Sequence, residues 1–130
     1  MYVEVQSLII FRNDRNFVTA GKTGNVALWK NQQIFKTVKI FKEDCLPIMK
    51  RKNGEIVATG KNDKVYVLND ELTVKQQFNG YDKEPHSIDF DVKFIVIGYE
   101  GGMVHLHNRQ NNDRKKVIIN FKINLIKCSD

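Results

Sequence analysis

A short glycine stretch near the amino end could, by residue type, bind a phosphate. Gly21 and Gly24 flank Lys22 and Thr23 in the segment GKTGNVALWK (21–30). A phosphate-binding P-loop needs the spacing GxxxxGK[ST], with a strand before it and a helix after it. Here the two glycines are too close together, and a strand-like apolar segment follows. We therefore expect Gly24 to supply a positive φ in a hairpin turn rather than to bind a nucleotide.

Two histidines form the second chemical candidate. His105 and His107 are two residues apart, so they share one face of a strand. Two imidazoles could begin a metal site, which commonly needs three or four ligands. No further ligand follows at a suitable spacing, although His86 could approach in the folded chain. The sequence favours histidines at the surface or at an interface between structural units, and predicts neither a metal nor another cofactor.

The sequence contains little that would support nucleophilic catalysis. The chain has no GxSxG nucleophile elbow. Cys45 precedes Leu46-Pro47 in a predicted strand, where a small buried apolar residue is the expected role. Cys45 and Cys128 are too far apart to match a metal or redox motif. We predict a non-enzymatic protein without catalytic residues.

Composition and charge limit the class of protein. The 130 residues carry 21 Lys and Arg against 15 Asp and Glu, a net charge of +6. The length suits one ordinary domain, and the positive charge favours an acidic partner. The amino-terminal MYVEVQSLII reads as neither a secretory signal nor a membrane span. With two lone thiols, the expected location is the cytoplasm or cytoskeleton, without membrane association.

An internal repeat explains the glycine stretch. The segments FVTAGKTGNVALWK (17–30), IVATGKNDKVYVLN (56–69) and FIVIGYEGGMVHLHN (94–108) share a β-branched run, a glycine, a polar turn and a second strand. Trp29, Leu68 and His107 are equivalent, with 39 residues between successive positions. A repeat of this length with short strands and regular turns indicates a β-propeller.

Each repeat unit also has a first and a fourth apolar segment. The units run over about 5–41, 45–78 and 86–121, and 122–130 (KINLIKCSD) reads as the first strand of another unit. The predicted fold is all-β, a partial WD40-type propeller of three four-stranded blades plus the first strand of a fourth. Propellers close with about 4–8 blades. We therefore expect a segment of a larger ring, completed by further sequence or by another chain.

The units resemble WD40 repeats, and the segment ending in Trp29 is similar to an element of the echinoderm microtubule-associated-protein-like (EML) family. INLIKCSD likewise resembles the opening strand of a following repeat. The resemblance implies a microtubule-associated scaffold with tubulin or another cytoskeletal protein as partner, in the cytoskeleton or the cilium. The usual Trp-Asp ending is replaced by Trp29-Lys30, Leu68-Asn69 and His107-Asn108. For the family's buried polar network, blade one offers Thr19 with Trp29, and blade two offers Thr59 with Asp63.

Basic residues are expected to gather on one face of the propeller disc. The loops joining strands one to two and three to four should share that face, and an acidic protein surface should bind there. The candidate residues are Arg12, Arg15, Lys50, Arg51, Lys52, Lys93, Arg109, Arg114, Lys115 and Lys116. Nucleic acid is a poorer fit, because these loops lack exposed aromatic residues for base stacking. A WD40 adaptor in a trafficking, ubiquitin-ligase or RNA-associated assembly is the alternative function.

Overall fold

The computed structural model describes residues 5–10 and 15–118, which form three antiparallel four-stranded sheets. Each sheet keeps the order of its strands in the chain. Blade one comprises β1 (Val5–Ile10), β2 (Phe17–Gly21), β3 (Asn25–Lys30) and β4 (Gln33–Lys39). Blade two comprises β5 (Ile48–Lys52), β6 (Glu55–Thr59), β7 (Asp63–Asn69) and β8 (Val74–Tyr81). Blade three comprises β9 (Pro85–Phe90), β10 (Phe94–Tyr99), β11 (Met103–Asn108) and β12 (Arg114–Ile118). The predicted all-β fold with three four-stranded blades is confirmed.

The hydrophobic core lies between the blades. Ile56 and Leu68 of blade two are directly paired across β6 and β7, and they belong to the cluster shared with Val18 and Leu28 of blade one. Val57 and Val67 form the next pair and belong to the cluster shared with blade three. Since successive side chains of a strand point to opposite faces, blade two buries both of its faces. This double burial explains the nearly continuous apolar runs in its central strands.

Tight turns set the lengths of the strands. Asn53 and Gly54 have φ values of 54° and 76°, and they join β5 to β6. Two central residues with positive φ are the mark of a two-residue type I′ hairpin turn. Gly24 has φ 87°, as expected for its turn. Because the turn at 53–54 needs only two residues, β5 extends to Lys52.

Some strand boundaries differ from those predicted. Lys50, Arg51 and Lys52 lie in β5, and Arg114, Lys115 and Lys116 lie in β12, so these six residues are in strands rather than in loops. The polarity of these stretches suggested loops, but outer and edge positions of a sheet also accept charged side chains.

The region around Cys45 also differs from the prediction. Cys45 lies outside a strand, because Leu46 has φ 52° and Pro47 lacks an N–H group, so that β5 begins only at Ile48. Cys45 is nevertheless buried, as predicted, with 3% of its surface exposed. Burial raises the pKa of its thiol to about 11.

Several sequence predictions fall outside the described residues. Arg12 is one, and the proposed opening strand at 122–130 is another. The same holds for residues 119–121, the predicted end of the last strand of blade three.

A pair of glycine substitutions tests the packing of the turn against the chain that leaves blade one. Gly24 and Gly101 have nearly equal φ, 87° and 88°. A Cβ on Gly24 would lie 2.1 Å from the Phe41 carbonyl oxygen, whereas a Cβ on Gly101 would meet nothing within 4 Å. We expect Gly24→Ala to lower the free energy of unfolding by about 2 kcal/mol more than Gly101→Ala does in urea titrations. Equal losses would mean that positive φ alone accounts for the glycine at 24.

Candidate functional site

Of the two polar pairs predicted for the blades, the pair in blade one forms a hydrogen bond. The indole Nε1 of Trp29 donates to the hydroxyl of Thr19 at 3.0 Å, which confirms that predicted pair. Trp29 also stacks on Phe17, with the ring centroids 5.2 Å apart. In blade two the hydroxyl of Thr59 donates instead to the carbonyl of Lys64.

Asp63 of blade two links blade two to the segment that follows blade one. Its Oδ2 accepts the backbone N–H of Lys42 at 2.8 Å, and its Oδ1 accepts the hydroxyl of Tyr66 at 3.2 Å. Burial and this carboxylate raise the pKa of Tyr66 to about 12. The Asp63 carboxylate, predicted to belong to a network within blade two, therefore binds the chain segment that leaves blade one.

The two histidines of β11 are buried between blades two and three. His105 and His107 are 0% and 1% exposed. The His105 ring lies 4.9 Å from the Tyr81 ring, and the His107 ring lies 5.3 Å from the Phe78 ring. Both partners belong to β8 of blade two, so of the two locations predicted, the surface and a blade interface, the histidines occupy the interface.

These imidazoles lack ordinary hydrogen-bond partners. Both ring nitrogens of His105 and Nε2 of His107 are buried without a hydrogen bond to the described residues. Burial is the main cause that lowers the pKa of both histidines to about 4, and the positive charge of Arg114 contributes to both shifts. Both rings are therefore neutral at pH 7.

The described residues contain no group of three or more His, Cys, Asp and Glu side chains that could hold a metal ion. The rings of His105 and His107 are 6.0 Å apart. Nδ1 of His86 lies 3.1 Å from the hydroxyl of Ser87, its neighbour in β9. Also within residues 5–10 and 15–118, no helix is long and apolar enough to cross a membrane.

Arg109 is held between blades two and three. Its guanidinium makes a bidentate pair with Glu55, at 3.1 and 2.7 Å, and its side chain is only 8% exposed. It also donates to the side chain of Gln76 and to the carbonyl of Asp91. Arg109 and Lys75 together lower the pKa of Glu55 to about 2. Because its charge is already matched, Arg109 is a poor candidate for contact with an outside partner.

Three further basic candidates on β5 are paired in the same way. Nζ of Lys50 and Nζ of Lys52 lie 3.0 and 3.1 Å from Oδ1 of Asp89, which is 1% exposed. Arg51 makes a bidentate contact with Asp70, at 2.8 and 2.7 Å. The structure thus brings Lys50 and Lys52 together around one buried carboxylate of blade three.

The remaining described candidates lie closer to solvent. Arg15, Lys93, Lys115 and Lys116 are exposed. Arg114 is half-buried, and its Nη1 lies 3.3 Å from the carbonyl oxygen of Gly80 in blade two. Arg15 and Lys93 lie in or beside loops that join first and second strands, whereas Arg114, Lys115 and Lys116 follow one another along β12.

The sequence reasoning missed the acidic partners of the basic residues. Glu55, Asp70 and Asp89 are not among the predicted site residues, which were chosen for their basic charge alone. Their positions gave a signal, since Glu55 adjoins the Asn53-Gly54 turn and Asp89 lies in the first apolar segment of its unit. Placing the three repeat units side by side would have put these acids at the same end as the lysines.

Two cavities open between neighbouring blades. A groove of about 950 Å³ lies against blades one and two, with Lys39, Lys42, Asp63 and Asp82 among its lining residues. A smaller pocket of about 230 Å³ lies between blades two and three, and the buried His107 lines it.

Comparison with known proteins identifies the fold. No family model matches the chain, and no curated protein matches it either. Among solved structures, the computationally designed Ika4 protein is 12% identical with a TM-score of 0.79, covering 100% of this chain and 82% of Ika4. The designed Ika8 protein is 13% identical with a TM-score of 0.81, covering 97% of this chain and 40% of Ika8.

A natural propeller is similar as well. The WD40 β-propeller domain of Doa1 is 16% identical with a TM-score of 0.72, covering 95% of this chain and 44% of that one. The chain therefore has the fold of WD40-type propeller blades. It spans less than half the length of the Ika8 and Doa1 chains.

Removing the buried arginine should weaken the interface between blades two and three. In Arg109→Met, Glu55 keeps only Lys75 as a partner. We expect the free energy of unfolding to fall by about 3 kcal/mol in urea titrations, because Glu55 loses its bidentate partner and keeps only the half-exposed Lys75. The control Lys115→Met removes an exposed charge and should change it by less than about 0.5 kcal/mol. Similar effects of the two substitutions would contradict a structural role for Arg109.

The buried histidines should make the protein sensitive to acid. In the unfolded chain they bind protons near pH 6.5, but in the folded chain only near pH 4. The unfolded state therefore holds more protons below pH 6.5. The free energy of unfolding should fall by up to about 1.4 kcal/mol per pH unit for each histidine between pH 6.5 and 4.

A double variant and a control separate this effect from that of Glu55. Replacing His105→Phe and His107→Leu should flatten the loss between pH 6.5 and 4, measured by urea unfolding at each pH. Glu55 has a lowered pKa, so its contribution is lost only as the pH falls from 4.5 towards 2. Glu55→Gln should accordingly change the slope of unfolding free energy against pH only between pH 4.5 and 2. An unchanged slope in the histidine variant would refute the assignment.

Proposed function

We propose that this chain is part of a propeller that serves as a non-enzymatic scaffold and binds an acidic protein surface. The WD40-type fold supports a role in protein interaction. The exposed Lys93, Lys115 and Lys116 support an acidic partner, because no ion pair occupies them among the described residues. Lys115 and Lys116 carry the proposal, since both are exposed and, unlike Lys50 and Lys52 of β5, neither forms an ion pair with a described residue.

Microtubules are the partner that we propose to test first. The support is the resemblance of GKTGNVALWK to the EML element, together with the acidic surface of tubulin. Such binding would place the protein in the cytoplasm on the cytoskeleton, or in the cilium. Contact between exposed charges should weaken as ionic strength rises, because the Debye length shortens from about 10 Å at 0.1 M salt to about 3 Å at 1 M.

Further blades are part of the proposal. Ile34 and Phe35 on β4 are 40% and 61% exposed, and Val117 and Ile118 on β12 are 42% and 69% exposed. The corresponding outer strand of blade two buries Phe78 and half-buries Val74. Exposed apolar residues on the two flanking blades support additional blades beside them, supplied by further sequence or by another chain.

Co-sedimentation with microtubules tests the proposed partner. We expect the chain to pellet with microtubules at low salt and to be released as salt is added. Lys115→Glu with Lys116→Glu should reduce the pelleted fraction at least about tenfold, because the variant repels an acidic surface. Lys61→Glu with Lys83→Glu changes the net charge equally at exposed sites away from β12 and should pellet like the unmodified chain.

The results distinguish the alternatives. No pelleting at low salt would exclude microtubules and favour an adaptor role in another assembly. Equal loss in both double variants would indicate attraction by net charge alone and would contradict a site on β12.

A further inference from the structure

The pocket between blades two and three has a composition suited to a small anion. Its volume is about 230 Å³, and β7, β8, β11, β12 and the turn before β12 all contribute to it. Lys64 and Arg114 are the basic residues that line it, and Gln77, Asn79 and Asn112 are lining residues with amide side chains. Phe78 is an apolar lining residue. No described residue that lines the pocket is acidic, although Lys64 also lines the groove that contains Asp63 and Asp82.

Arg114 is positioned by blade two rather than neutralised by it. Its Nη1 lies 3.5 and 3.3 Å from the carbonyl oxygens of Asn79 and Gly80. These carbonyls are uncharged, and a guanidinium has five N–H donors in a fixed planar fork. Donors therefore remain for a ligand, and the fork is held at the boundary between the two blades.

His107 is a second, independent observation. It lines the pocket, it is 1% exposed, and its Nε2 has no hydrogen-bond partner among the described residues. A buried polar atom without a partner costs about 1–3 kcal/mol, so most such groups in proteins are satisfied. Arg114 is close enough to His107 for its charge to matter, since it is one of the causes, after burial and His105, that lower the pKa of His107.

We propose that this pocket binds a phosphoryl group, either free or on a side chain of another protein. A phosphoryl group carries about −1.5 to −2 charges and three acceptor oxygens. It can therefore match two cations and still accept hydrogen bonds from amides in several directions. A carboxylate carries one charge and two oxygens in one plane, and would leave part of this donor set unused.

The pocket does not include the exposed lysines assigned to an acidic partner, since neither Lys115 nor Lys116 lines it. Lys116 lies on the same face of β12 as Arg114, whereas Lys115 lies on the opposite face, because successive residues of a strand point to opposite faces. Arg114 is paired with His107 across β11 and β12, whereas Lys115 is paired with Leu106. The phosphoryl pocket can therefore be tested by itself, whatever the outcome of co-sedimentation.

The proposal is tested by titrating the full chain with inorganic phosphate. Binding is measured by calorimetry and by NMR of the histidine rings. We expect saturable binding and a shift of the His107 imidazole signals, with those of His86 unchanged. Lys64→Gln and Arg114→Gln should each weaken binding about tenfold or more, because each removes a charge-assisted hydrogen bond. Lys115→Gln, the matched control, should bind like the unmodified chain. Lys64 is exposed, so its variant remains informative if loss of Arg114 impairs folding.

Two further ligands, a phosphoserine peptide and acetate, show where the phosphoryl group comes from and whether the pocket selects it over a carboxylate. Tighter binding of a phosphoserine peptide than of inorganic phosphate would identify a modified partner protein, and equal binding would identify a free phosphate ligand. Three results would overturn the proposal: no saturable binding of phosphate, equal affinity for acetate, or affinity unchanged by Lys64→Gln.

Discussion

Burial of both faces of the middle sheet is the constraint on which the described structure depends. Ile56 and Leu68 pack towards blade one, and Val57 and Val67 pack towards blade three. Since the side chains of a strand alternate, neither neighbour can be lost without exposing an apolar face of blade two. A single four-stranded sheet of this kind has no stable form in water without covers on both sides. The repeat is therefore the smallest part of the fold, and the stack of blades is the stable unit.

Polar groups at the edges of these interfaces have to be satisfied as the faces close. Asp63 accepts the Lys42 N–H at the first interface, while Arg109 with Glu55 and Lys52 with Asp89 join the blades at the second. Charges that are taken out of water need partners with good geometry. Several of the basic residues predicted to bind a partner are therefore paired with carboxylates of the chain itself. Fewer positive charges remain for an outside partner than the sequence suggests.

The repeat made the fold predictable, but the ion pairs between neighbouring blades could not be predicted from it. Turn residues such as Gly24 and Asn53-Gly54 and the alternation of apolar residues are local signals, so the order of strands could be read from short segments. Glu55 and Arg109 are 54 residues apart, and Lys52 and Asp89 are 37 apart. Such pairs depend on how the blades align, which a single unit does not encode. The polarity of β5 and β12 was accordingly interpreted as loop, although in β5 it reflects ion pairs across the blade interface.

Strand register explains why Nε2 of His107 has no hydrogen-bond partner among the described residues. Phe17 and Trp29, Ile56 and Leu68, and Ile95 and His107 are matching cross-strand pairs in the three blades.

The position of the Thr19 hydroxyl that accepts from Trp29 is therefore Ala58 in blade two and Ile97 in blade three. Thr59 is one residue further on and points to the other face, which is why it contributes nothing to such a network. Blade two has apolar residues, Leu68 and Ala58, at both equivalent positions. Blade three has Ile97 in place of the hydroxyl residue but a polar ring, His107, in place of Trp29. A fully apolar pair would pack there at no polar cost, as blade two demonstrates. A histidine retained beside Arg114 therefore calls for a partner outside the described residues, and an anion in the adjoining pocket would supply one.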